Sequence, residues 1–104
     1  MKKTMTLLGD IGGTNARFAI ITPDDSSYSH FKKLRCDDFK TLVEAINYYL
    51  KDIGAEDIES IFLAIAAPIY EKKIKIVNNH WVVDKDELYE VFNINSFNII
   101  NDFA

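Results

Sequence analysis

Asp10-Ile11-Gly12-Gly13-Thr14-Asn15 is the stretch whose residue types and spacing are suited to chemistry. Leu7-Leu8-Gly9 leads into it, and a second apolar run, Ala16 to Thr22, begins at once. The pattern predicts strand, turn and strand, with a carboxylate at the mouth of the turn. Adjacent glycines let a turn reach positive φ and let another group approach the backbone closely. Successive N–H groups in such a turn converge into an anion nest. Thr14 adds a hydroxyl and Asn15 an amide, both able to donate to phosphate oxygens. Asp10 is acceptor-only when ionised, so it repels a bare phosphate. It fits beside one that carries Mg²⁺, a cation that takes one or two carboxylates together with waters and phosphates. The stretch has neither the Gly-Lys-Ser/Thr ending of a Walker A loop nor a G-x-G-x-x-G opening a helix. The competing reading is a β-hairpin whose turn is simply rich in glycine.

A second pair of candidates stands at the far end. Phe97 to Ile100 reads as a strand that delivers Asn101 and Asp102 at its carboxyl end. Ligand sites in open α/β sheets lie at those ends. The alternative there is an Asx turn.

The elements that must position these residues follow from the pattern between them. Thr4 to Leu8 and Arg17 to Ile21 read as paired, mostly apolar strands, as in a sheet covered on both faces. After the turn cluster Pro23 to Ser27, Tyr28 to Leu34 reads as a third, more exposed strand, completing a meander. Asp38 is the expected N-cap of a helix. Phe39, Leu42, Val43, Ile46, Tyr49, Leu50 and Ile53 fall on one stripe of it, and Gly54 stands where a C′ residue closes it. Ser60 to Ala67 is a continuous apolar run ended by Pro68, expected as a buried strand parallel to a neighbour. Ile74 to Val77 is a short strand, interrupted by Asn78-Asn79-His80-Trp81. Asp84-x-x-Glu87 resembles a capping box, and its helix carries Leu88, Val91 and Phe92 and ends at Asn93. The predicted order is βββ-α-β-β-α-β, an α/β fold without repeat or linker.

Composition narrows the classes. With 104 residues, 48% of them hydrophobic and 27% charged, the chain suits one small soluble domain. A net charge of −4 disfavours non-specific nucleic-acid binding. Cys36 is the only cysteine, so there is no internal disulfide and no Cys-x-x-Cys metal site, which suits a reducing, cytoplasmic setting. The apolar run after Lys2-Lys3 breaks at Gly9-Asp10, too short for a signal h-region, and no segment approaches the ~18 apolar residues of a membrane span.

Gly9 to Arg17, followed far downstream by Ile99-Ile100-Asn101-Asp102-Phe103, resembles bacterial glucokinases. Ala64-Ile65-Ala66-Ala67-Pro68-Ile69 and Asn78-Asn79-His80-Trp81 match the same pattern in order and at compatible spacing, so the likeness spans nearly the whole chain. It implies a ribonuclease H-like, actin-like ATPase fold in which two α/β lobes close over ATP and a sugar. Residues 1–104 would form the small N-terminal lobe, a mixed sheet with a three-stranded antiparallel meander and flanking helices, with the C-terminal lobe absent. The implied reaction moves the γ-phosphoryl group of ATP to the 6-hydroxyl of glucose. By resemblance, Asp10 orients Mg²⁺, and Gly9, Asp10, Ile11, Gly12, Gly13, Thr14 and Asn15 form the segment that cradles ATP. Asn101 binds a sugar hydroxyl, Asp102 accepts the proton of the attacking hydroxyl, and Asn79 and His80 line the sugar cleft, the alternatives being that His80 caps a strand end and Trp81 belongs to the core. An Asp in that role matches phosphoryl transfer, which asks the protein mainly for positioning and charge neutralisation.

Two other classes fit the same residues: a phosphohydrolase or another sugar kinase on this fold, and a non-catalytic truncated fragment. A single lobe cannot close a cleft on itself, so the expectation is no turnover from the 104 residues alone. Apolar surface built for the other lobe would also favour a homodimer or poor solubility.

Overall fold

The computed structural model describes residues 5–22, 28–55, 57–65, 73–76 and 79–101. Among them, β1 (Thr6–Ile11), β2 (Asn15–Ile21) and β3 (Ser29–Arg35) form the expected antiparallel meander. A 3-10 turn, Cys36–Asp38, leads to α1 (Leu42–Ile53). Then come β4 (Ser60–Ile65), a ribbon of β5 (Lys73–Lys75) and β6 (Val82–Asp84), α2 (Lys85–Phe92) and β7 (Ser96–Asn101). The main sheet has the order β3-β2-β1-β4-β7, with β4 parallel to both β1 and β7. The result is the mixed α/β sheet with flanking helices that the resemblance implies. No helix is long and apolar enough to cross a membrane among the described residues.

One face of the sheet carries the core. Leu7 and Ile11 of β1, Phe18 and Ile20 of β2, and Ile61, Leu63 and Ile65 of β4 all point to it. From the other side α1 brings Leu42, Ala45, Ile46, Tyr49 and Leu50, and α2 brings Leu88. Burying a large apolar side chain stabilises by about 1.5–3 kcal/mol, so these residues dominate the stability of the unit. The opposite face is not covered by described residues: Phe31 is 58%, Phe62 36% and Ile100 48% exposed. The described residues thus cover the inner face of the expected two-faced sheet. Apolar residues occupy the outer positions as well, where Phe31 meets Tyr28 with ring centroids 6.5 Å apart.

Three local expectations also change. First, β1 does not stop at Leu8. Asp10 pairs with Arg17 and Ile11 with Ala16, so the strands run to the edge of the turn, which shrinks to Gly12-Gly13-Thr14. Second, Thr41 and not Asp38 is the N-cap of α1: its Oγ1 accepts from the Glu44 N–H at 3.1 Å. Asp38 is used up in the 3-10 turn, and Phe39 is extended (φ −133°, ψ 138°). Third, the run after Trp81 forms a strand, β6, that pairs antiparallel with β5 and turns the segment back.

Other ends follow the sequence. Gly54 closes α1 in the left-handed region (φ 74°), with the Ala55 N–H on the Leu50 carbonyl and the Gly54 N–H on that of Lys51. Asp84 caps α2 through the Glu87 N–H, and Asn93 ends it at φ 52°. Ala66, Ala67, Pro68, Val77 and Asn78 lie outside the described residues.

Candidate functional site

Strands β1, β4 and β7 are parallel, so their carboxyl ends share one edge of the sheet. β3 is antiparallel to β2, which is antiparallel to β1, so its carboxyl end reaches the same edge. That edge therefore collects the glycine turn, the Cys36–Asp38 turn and Asn101.

Strand alternation sorts the first motif. Leu7, Gly9 and Ile11 face the core, whereas Thr6, Leu8 and Asp10 face outward. A Cβ on Gly9 would lie 2.6 Å from Leu63 Cδ2 and 3.2 Å from Phe18 Cε1. Glycine at that position is set by packing. Ile11 is likewise buried, so neither Gly9 nor the Ile11 side chain is at the turn's surface. Asp10 is the exposed carboxylate of the strand, opposite Arg17 on β2 and beside Ala64 on β4. Asp10, Arg17, Phe31, Phe62 and Ala64 line one open hollow of about 390 Å³ on the outer face.

The turn itself is tied down from behind. The Gly12 N–H donates to the Asn15 carbonyl at 2.9 Å, and the Cys36 N–H donates to the Thr14 carbonyl at 2.9 Å. Asn79 Nδ2 donates to the Gly12 carbonyl at 2.8 Å, and the Cys36 thiol approaches the same oxygen at 3.9 Å. Among the described glycines only Gly54 has a positive φ, so Gly12 and Gly13 do not serve to reach the left-handed region. What they offer is bare backbone: Gly13 and Thr14 are exposed at the tip. Cys36 is fully buried beneath it, and that burial pushes its thiol above the ordinary value, with the Asn79 side chain acting in the opposite direction.

The second segment is joined to the first through main-chain carbonyls. Asn79 Oδ1 accepts from the Trp81 N–H at 2.8 Å. The Phe39 carbonyl accepts from both His80 Nε2 at 2.8 Å and Trp81 Nε1 at 3.0 Å. Trp81 is 1% exposed and belongs to the core. His80 is exposed, with Nε2 on Phe39. Both ends of the Asn79 amide are therefore engaged with backbone.

Asn101 is exposed at the end of β7, in register with Ile65 and, one strand further, with Ile11. Two inter-strand steps put it about 10 Å from the start of the glycine turn. Asp102 lies outside the described residues. No cluster of three or more His, Cys, Asp or Glu side chains forms a metal cage among the described residues. Mg²⁺ needs none: a single carboxylate such as Asp10, completed by waters and phosphate oxygens, fits its habits.

Neither Cys36 nor the Phe39 carbonyl carried any motif that would mark it from sequence. Cys36 directly follows Arg35, the residue of β3 that pairs with Asn15.

A sequence model described as glucokinase matches residues 7–104. The glucokinase of Chromohalobacter salexigens is 41% identical over 98 residues, covering 94% of this chain and 31% of its own length. That of Hahella chejuensis is 36% identical over 103 residues, covering 99% of this chain and 32% of its own. The crystal structure of a glucokinase from an Antarctic psychrotroph superposes with a TM-score of 0.84 at 32% identity, over 95% of this chain and 32% of that one. The chain thus spans about a third of the length of the relatives it matches.

Proposed function

The chain belongs to the glucokinase family, and from that premise we propose that it forms the N-terminal lobe of an ATP-dependent glucose kinase. The observation that supports the reading is the shared edge: Asp10 and the pinned Gly12-Gly13-Thr14 turn lie where β1 ends, at the same sheet edge as Asn101 of β7, with Asp10 on the outer face and Asn101 in register with inward-facing Ile65 and Ile11. The outer sheet face is then the surface against which further polypeptide would pack.

In this proposal the exposed N–H groups of the turn and the Thr14 hydroxyl bind the terminal phosphates of ATP. Asp10 holds Mg²⁺, which when bound neutralises charge on the transferring phosphoryl group. Asn101, with one donor group and one acceptor on its amide, orients adjacent sugar hydroxyls. Asp102 accepts the proton of the glucose 6-hydroxyl as its oxygen bonds to the γ-phosphorus and the bond to ADP breaks. General-base help of this kind is worth about 10²–10⁴-fold.

The test is a chimera in which residues 7–104 replace the matched segment of the Chromohalobacter salexigens glucokinase. Glucose-dependent ADP formation that disappears in Asp102→Ala is expected. A folded chimera without that activity, or one indifferent to Asp102→Ala, contradicts the proposal.

A further inference from the structure

The Asn79 side chain reaches the glycine turn from 67 positions along the chain. The chemistry of its partners fixes its orientation. A carbonyl can only accept, so the atom on Gly12 is Nδ2; an amide N–H can only donate, so the atom facing Trp81 is Oδ1. The Gly12–Gly13 peptide is trans, as are the others described. In a planar trans peptide the C=O and the following N–H point in opposite directions. Holding the Gly12 carbonyl inward, against Asn79 and the buried Cys36, therefore turns the Gly13 N–H outward at the exposed tip.

We infer that Asn79 is a positioning residue for phosphate binding: it clamps the Gly12 carbonyl so that the Gly13 N–H is presented to the ligand, and it is not itself a sugar ligand. The inference rests on reading the turn as the phosphate cradle. It also links the two segments physically, because the same amide holds the Trp81 N–H, and Trp81 and His80 both bond to Phe39 at the end of the Cys36 turn.

Asn79→Asp separates the two halves of the clamp. It keeps the oxygen that faces Trp81 and replaces the donor to Gly12 with an acceptor. The ¹⁵N-labelled 104-residue chain and this variant are titrated with Mg²⁺–ATP. The variant is expected to bind about five- to tenfold more weakly, the equivalent of one hydrogen bond. Its Gly13 amide resonance should move while that of Trp81 holds. Equal affinity with an unmoved Gly13 amide overturns the inference and leaves the phosphate reading standing. No Mg²⁺–ATP response from the natural chain overturns the phosphate reading and the inference with it. Should Asn79→Asp fail to fold, the natural chain decides. One Asn79 side-chain proton should resist exchange and respond to Mg²⁺–ATP, and a response to glucose in its place overturns the inference.

Discussion

Asp10 and Arg17 stand directly opposite each other across β1 and β2, both exposed, and they are not ion-paired. The ion pair found among the described residues joins Lys32 of β3 to Asp52 of α1. Asp10 is thus left open to a cation at the mouth of the glycine turn. In the chimera, Asp10→Asn should reduce kcat/KM for ATP by roughly 100-fold, the loss of about 2.7 kcal/mol of transition-state stabilisation. As an exposed substitution it should change stability by no more than about 0.5 kcal/mol. Kinetics and a thermal melt on the same preparation check both halves.

Tyr49 is buried against Phe18, with ring centroids 5.4 Å apart, and its hydroxyl donates to the His30 carbonyl at 2.7 Å. Burial pushes its phenol up to about 12, from an ordinary value of 10.0. In the unfolded chain Tyr49 loses its proton near pH 10, while in the folded chain it keeps it. The corresponding stability is fully present below pH 10 and is lost as pH rises from about 10 to about 12. Urea unfolding across that range should show a decline of order 2 kcal/mol that is smaller in Tyr49→Phe. Near neutrality the same variant should be about 1 kcal/mol less stable, for the lost hydrogen bond.

His30 has a φ of 58°, at a bulge where β3 places two residues opposite Ala19 of β2. Left-handed backbone is costly for a residue with a Cβ and free for glycine. His30→Gly should therefore stabilise the chain by roughly 0.5–1 kcal/mol, and His30→Val should destabilise it. Denaturant midpoints of the two variants test the sign directly.

Gly9 belongs by sequence to the phosphate segment and by structure to the core. A methyl group there meets Leu63 Cδ2 at 2.6 Å. Gly9→Ala should cost roughly 1–3 kcal/mol through overpacking. At a temperature where the variant stays folded, its affinity for Mg²⁺–ATP should be unchanged. A loss of affinity without loss of stability would return Gly9 to the cradle.

What could be read from sequence was local. The stripe Leu42, Ile46, Tyr49 and Leu50, the closing Gly54 and the cap at Asp84 each carry their cause within a few residues. The antiparallel meander and parallel β4 follow from strand runs and from a helix that makes a crossover. Thr41 and Asp38 are both good caps three residues apart, and the 3-10 turn that chose between them has no sequence signature. β6 is three residues long, too short for alternation to stand out. Least legible were the ties behind the turn. Asn79 and Cys36 reach a main-chain carbonyl across long sequence separations, and such bonds leave no pattern in the residues between.

The central claim is that the Gly12-Gly13-Thr14 turn and Asp10 hold nucleotide phosphates through Mg²⁺. Its most direct test is a ¹⁵N amide titration of the chain with ATP, with and without Mg²⁺, repeated in Asp10→Asn. The account predicts shifts concentrated at Gly12 to Asn15 that require both the cation and the carboxylate. Shifts centred elsewhere, or the same shifts in Asp10→Asn, would contradict it.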